Sequence, residues 1–465
     1  MPETPLSPAQ KASFINRDAR KYGTFAEIGA GQDVARWFFH VGGAAGTVAK
    51  TISAYDMAVS DAIYGPCGRY VSRQRLNAML DYEYNLLRER LDPARGAKNT
   101  FFALANTVAT RSFTRKEDGH GWMGIKFQTE PRAEPSEIII HLRLLDQDNV
   151  RQQEALGIIG VNLIHGAFYH WQQPERLIRG LLDHLGWQRV EVDMIRFAGP
   201  GFANLDNRLM ALQLVKQDLT EAALFTADGE AAQWSELLYK KPVLVQRGSF
   251  RPVTKATLDV FEKAREKFLA EPEVAGRKPV VLMEMTLRHL TRGDAIDHQD
   301  FLHRANTLGA LGHTVLISNF LRFHRLASYL YRYTDGPLGL AIGASKLADI
   351  FDEKFYNNSE GGLLGGLGQL FRNQTRLYVY PSYNFSTGEV LTLQNFPLDP
   401  RLRQLVAFLQ ANGSLQDLEH YNPDYLRIRA KDVLDSIAAG TSGWEELVPP
   451  ALVTLIKRDR LFGHA

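Results

Sequence analysis

Gly248, Phe250, Pro252 and Thr254 stand at alternate positions in the stretch RGSFRPVTKATLDVF, and Lys255 and Thr257 follow directly. Hydroxyls, a glycine and flanking cations in one short run are the groups that hold an anion. KPVLVQRGSF reads as a strand, with Val and Leu between Pro242 and Gly248. KATLDVFEKAREKFL reads as a helix, because Leu258, Phe261, Ala264 and Phe268 share one face. The residues between them form a strand-to-helix turn. Gly248 lets a ligand approach the backbone, and the helix start offers unpaired N–H groups and the positive end of the helix dipole. A phosphate would sit there. An ordinary turn of this type shares these features, so geometry alone leaves both readings open.

The chain has 465 residues, 45% of them hydrophobic and 23% charged, with a formal net charge of +2. That composition fits a globular protein of two or three domains. The charge is too balanced to argue for a specific nucleic-acid partner. A single cysteine, Cys67, excludes an intrachain disulfide framework and any Cys-based zinc site. The reducing cytoplasm is the expected compartment. The N-terminus lacks an apolar signal core, and no 18-residue apolar run predicts a membrane span. LGIIGVNLIHGAFYHW, the nearest, reads as a buried helix.

The elements that must position the turn follow from patterning. Residues 1–135 read as a helix-rich region with two short strands. Within it, TFAEIGAGQDVARWFFH and GTVAKTISAYDMAVSDAIYG have helical spacing, and Ser72 caps a further helix. NTVATRSF and GWMGIKFQT read as the two strands. From residue 136 onward short apolar runs alternate with helices: EIIIHLRLL, VEVDMIRF, EAALFTA, PVLVQRGSF, KPVVLMEM, HTVLISNF, PLGLAIG and TRLYVYP. This predicts an α/β fold with a parallel, Rossmann-like sheet in a C-terminal domain, 240–465, after a middle α/β segment, 136–239. A single eight-stranded barrel over 137–381 is the alternative. Residues 352–368 read as a polar, then glycine-rich, mobile loop.

The stretch from Gly248 resembles the N-terminal motif of the nucleotidylyltransferase superfamily, G-x-F-x-P-x-(H/T)-x-G-H. Gly248, Phe250, Pro252 and Thr254 match it, while Ala256 and Thr257 stand where that family has Gly and His. Near the C-terminus, IRAKDVLDSIAAGTSGWEELVPPALVTLIKRDRLF resembles the end of nicotinate-nucleotide adenylyltransferases. Ile428, Ala430, Val433, Ile437, Gly440, Leu447, Val448, Pro449, Val453 and Leu461 fit. The family's Ser, Thr and Arg fall on Arg429, Lys431 and Leu434. The two ends lie about 180 residues apart and in the family's order. The resemblance spans about half the chain and says nothing of residues 1–240.

The resemblance implies adenylyl transfer from ATP with Mg2+, in a site where positioning and charge stabilisation do the catalysis. Thr254, Thr257 and Lys255 would carry the reaction. Gly248, Ser249, Phe250, Arg251, Ser345, Lys346, Arg429 and Lys431 would hold the ligand. Ser345 and Lys346 are placed by position alone, after the PLGLAIG strand. Thr257 cannot carry charge where the family has histidine, and replacing such a donor costs about 10²–10³ in rate. Lys255, Arg247, Arg251, Arg429 and Lys431 could compensate, or be ordinary solvated cations. The expected partner is therefore a nucleotide or other phosphorylated small molecule, with catalysis in doubt. The competing class is a catalytically inactive pseudoenzyme serving as regulator, scaffold or assembly subunit, a homo-oligomer included.

Other signals are weaker. GGAAGTVAKT lacks the second glycine of a phosphate loop, and GAGQDV lacks a third. His289, His298, His303, His313 and His324 show no metal-ligand spacing, and no metal site is expected. His165 and His170 read as helix-packing residues.

Overall fold

A computed structural model describes residues 5–29, 31–111, 119–292, 295–356 and 360–464. The chain divides into two compact units, Met1–Ala223 and Leu224–Ala465. No helix among the described residues is long and apolar enough to cross a membrane.

The first unit is built on one six-stranded sheet. Its strands are β1 (Lys21–Gly29), β2 (Val48–Ile52), β3 (Thr100–Ala109), β4 (Gly119–Phe127), β5 (Ser136–Leu144) and β6 (Val190–Ala198), in the order β2-β1-β3-β4-β5-β6. β1 runs parallel to both its neighbours, and β3 to β6 form an antiparallel meander. The sheet crosses residue 135, so the expected helix-rich region and the first strands of the middle segment are one unit. TFAEIG, Thr24 to Gly29, lies in strand β1, not in a helix, and GTVAKTI contains strand β2. The helical reading failed at β1 because that strand is buried on both faces, which removes the period-two signal. The helices Asp33–His40 and Met57–Tyr64 follow as the rest of those stretches predicts. Ala30, inside GAGQDV, lies outside the described residues. Ser72 caps the helix Arg73–Leu91 by accepting from the Arg75 N–H at 3.2 Å. LGIIGVNLIHGAFY lies in the buried helix Asn149–Tyr169, where Gly160 lets Val34 approach: a Cβ there would meet Val34 Cγ2 at 2.3 Å.

The second unit holds an eight-stranded sheet and two small hairpins. In chain order its strands are β7 (Ala222–Phe225), β8 (Ala231–Ala232), β9 (Val243–Arg247), β10 (Val280–Thr286), β11 (Thr291–Arg292), β12 (Ala295–Ile296), β13 (Thr314–Ser318), β14 (Leu338–Gly343), β15 (Thr375–Tyr380), β16 (Ser382–Tyr383), β17 (Val390–Leu391) and β18 (Leu415–Asp417). β11–β12 and β16–β17 are the hairpins. The sheet runs β18-β15-β14-β9-β10-β13-β7-β8. Six of its strands, from β18 at one edge to β13, pair in parallel. Counted from β9, their order is 3-2-1-4-5-6, the doubly wound Rossmann order. All eight strands expected beyond residue 136 are present. The sheet is open and EIIIHLRLL and VEVDMIRF belong to the other unit, which replaces the barrel alternative. Position 239 falls after β8, so the second sheet begins upstream of the expected boundary. Of the expected loop 352–368, residues 357–359 lie outside the described residues, and a helix starts at Gly362.

Candidate functional site

β9 is the strand at which the order of the sheet reverses, with β10 on one side and β14 on the other. In open α/β sheets ligands bind beyond the carboxyl ends of the strands at such a point. A cleft of about 360 Å³ opens there. Gln246 and Arg247 line it from the end of β9, then Gly248, Ser249, Phe250 and Pro252 from the loop. Thr254, Ala256, Thr257 and Val260 contribute from the start of the helix Lys255–Ala270. The opposite wall is Gly343 at the end of β14, Tyr380, Ser382 and Tyr383 after β15, and Tyr425 beside a second helix start at Ala430.

The loop is fixed from behind. The Gly248 N–H donates to the Glu284 carbonyl at 3.0 Å, and the Ser249 carbonyl accepts from Arg304 at 3.1 Å. Phe250 has φ 49°, a left-handed conformation that a bulky residue adopts only where its surroundings impose it, and its side chain is buried. Among the described residues the backbone N–H groups of Ser249 and Phe250 have no partner within the chain. Those two groups are donors of the kind that receive an anion, whereas in the first turn of the helix the Lys255 and Thr257 N–H groups are already bound to the Leu447 carbonyl and the Thr254 hydroxyl.

Thr254 and Thr257 are brought together, but first as a helix cap. Each hydroxyl accepts from the other's backbone N–H at 3.3 Å, and the two oxygens lie 3.1 Å apart. One hydroxyl proton is used between them, which leaves one for a ligand. The expected cations are placed differently. Arg251 is ion-paired with Asp300, which also holds Arg304. Lys255 lies at the helix start, with its backbone N–H on the Leu447 carbonyl, and is not in the cleft lining. Arg429 occupies the N-cap position of the helix Ala430–Ala439 without a side-chain capping bond and packs over the Phe385 ring at 4.9 Å, while Lys431 is exposed. Ile428 and Ala430 reach the cleft, whereas Arg429 and Lys431 do not. Ser345 and Lys346 also fall outside the lining. The Ser345 N–H donates to Ser382 Oγ at 3.2 Å, and Lys346 reaches Asp349 at 3.4 Å. Gly343, two residues earlier, is the member of that segment in the wall.

Among the described residues Arg247 is the one charged side chain in the lining, and it is committed to Glu284 at 2.7 and 2.9 Å. Sequence reasoning missed Gln246, Tyr380, Ser382, Tyr383 and Tyr425. The carboxyl ends of VLVQR and TRLYVY were the available signal, because those ends converge once β9 sits at the reversal. Tyr380 donates its hydroxyl to Asp259, and burial with that neighbouring carboxylate raises its pKa well above the ordinary phenol value. His289, beyond β10, is held neutral by burial and by Arg247, with its pKa lowered to about 4. No group of His, Cys, Asp and Glu able to hold a metal occurs among the described residues.

No protein-family model matches the sequence, and no curated protein matches it. Among solved structures, the competence/damage inducible protein CihA from Agrobacterium tumefaciens shares 15% identity and covers 35% of this chain and 97% of its own, with a TM-score of 0.25. A competence-damaged protein (CinA) superfamily protein from Enterobacter cloacae shares 13%, covering 35% and 92%, with a TM-score of 0.24. A competence or damage-inducible protein from Enterobacter asburiae shares 13%, covering 35% and 98%, with a TM-score of 0.24. Likeness at this level transfers no activity.

Proposed function

We propose that the second unit binds a phosphorylated, nucleotide-type small molecule in the cleft beyond β9 and does not perform adenylyl transfer. The observation that carries this reading is the position of the cleft at the reversal of the sheet, with two helix starts and a loop of unpartnered N–H groups in its wall. Phosphate binding at such a place needs no further machinery. The nucleotidylyltransferase-like motif supports the same ligand class.

Adenylyl transfer needs more. Charge building on phosphate oxygens must meet preorganised donors, and charged ones are about twice as strong as neutral ones. Here the position of the motif histidine is a threonine engaged in a helix cap, and Arg251 faces Asp300. ATP with Mg2+ is therefore read as a test compound rather than a substrate.

The test is a turnover assay on the full chain with Mg2+-ATP and nicotinate mononucleotide, nicotinamide mononucleotide or phosphopantetheine, run beside a binding assay. Binding without pyrophosphate release is the expected result. A dinucleotide-type product that disappears with Lys255→Ala would overturn the non-catalytic part.

A further inference from the structure

The cleft carries two features that together narrow its ligand. Gln246 is 6% exposed and lines the cleft. Its Nε2 donates to the Thr257 carbonyl at 3.0 Å, and because that partner is an acceptor, the amide orientation is fixed. Its Oε1 is buried and has no partner. A buried acceptor without a donor is unfavourable, and on a residue of the cleft wall it is a group that a bound molecule can satisfy.

The second feature is charge. No carboxylate lines the cleft among the described residues, so a magnesium ion bridging phosphates would find no anionic protein ligand there. Arg247 is neutralised by Glu284. The remaining donors are backbone N–H groups and one threonine proton, sufficient for the oxygens of a single phosphate group. A volume of about 360 Å³ lies at the low end for small-molecule sites, which run from about 300 to 1,000 Å³. Tyr380, Tyr383 and Tyr425 stand in the same wall and give it the aromatic surface against which a base can pack.

We infer that the cleft selects a nucleoside monophosphate over a magnesium-bound triphosphate, and that Gln246 accepts a hydrogen bond from the ligand's base amine or ribose hydroxyl. This rests on the reading of the cleft as a nucleotide-type site. It assigns Gln246 as a specificity-determining residue.

Calorimetric titration of the full chain with AMP, GMP, CMP and UMP, and with the matching triphosphates with and without Mg2+, tests it. At least one monophosphate should bind, and its triphosphate with Mg2+ should bind at least about tenfold more weakly. Gln246→Leu should weaken the monophosphate about tenfold. In the wild-type chain, one of two analogues, the base without its exocyclic amine or the 2′-deoxyribose, should lose a similar factor, which keeps the test independent of the variant's folding. Equal or tighter binding of the magnesium triphosphate overturns the inference while the nucleotide reading stands. So does unchanged affinity for both analogues. Binding of none of these nucleotides would remove the nucleotide reading itself.

Discussion

Arg247 and Glu284 sit directly opposite one another in the parallel pairing of β9 and β10, and their side chains close a two-point ion pair at 2.7 and 2.9 Å. Glu284 is fully buried and also accepts from Ser318 Oγ at 2.6 Å. The guanidinium additionally lies over the Phe323 ring at 4.2 Å. The cation nearest the cleft is thus part of the sheet's own structure.

Arg247→Ala should therefore behave as a stability variant before it behaves as a binding variant. Leaving a buried carboxylate without its partner costs about 3–5 kcal/mol. Urea unfolding should show this loss, and the double substitution Arg247→Met with Glu284→Leu should recover most of it. A single variant with wild-type stability would show that the pair contributes nothing.

Thr254→Ala removes the side-chain acceptor at the start of the helix Lys255–Ala270. The expected cost is about 1 kcal/mol. For a unit of this size that is about 2–4 °C in Tm. Differential scanning calorimetry would detect it, and an unchanged melting temperature would mean that Thr257 alone secures the turn.

Tyr380→Phe keeps the ring in the cleft wall but withdraws the hydroxyl from Asp259, which retains the Asn422 N–H at 3.1 Å. Asp259 is buried, so the loss should be about 1–3 kcal/mol. Ligand affinity should stay within about twofold, since the hydroxyl is committed to Asp259 and the ring keeps its place in the wall. A large drop in affinity with stability preserved would reverse that division of roles.

In the first unit, burial raises the Glu27 carboxyl from 4.5 to about 8, with Asp33 adding to the rise and the Val34 and Ala35 N–H groups opposing it. The folded state keeps a proton that the unfolded chain releases above its ordinary value. This contribution is full below pH 4.5 and is lost as pH rises towards 8, by at most about 1.4 kcal/mol per unit. His165, lowered to about 3 chiefly by burial and by Lys11, and His120, lowered to about 4, act in the opposite sense below about 6.5. Between pH 6.5 and 8 the Glu27 effect should be the main one, with the raised Glu137 carboxyl acting in the same sense. Melting curves of wild type should fall across that window, and those of Glu27→Gln should stay flatter. Parallel curves would rule out a protonated Glu27.

Local information was sufficient for much of this molecule. Short apolar runs alternating with helical segments marked β9, β10, β13, β14 and β15, the first of them bounded by Pro242 and Gly248. The capping role of Thr254 was read only as a place in the motif, whereas Ser72 announced its helix because capping is a short-range hydrogen bond. The turn at Gly248 was legible for the same reason. Strand β1 was not, because a strand covered on both faces carries no alternation.

The sequence by itself determined that the second unit is α/β and that Gly248 to Thr257 forms a turn with N–H groups to offer. Only the tertiary structure decided what shares the cleft with it. Gln246 and Tyr380 come from strands separated by more than a hundred residues, and nothing local relates them. The long side chains of Arg251, Arg429 and Lys346 could have turned either way. Arg251 met Asp300 and Arg429 the Phe385 ring on segments brought beside them by the fold, whereas Lys346 met Asp349 three residues further along its own segment. Charge near a motif is a property of sequence, whereas availability of that charge to a ligand is a property of the fold.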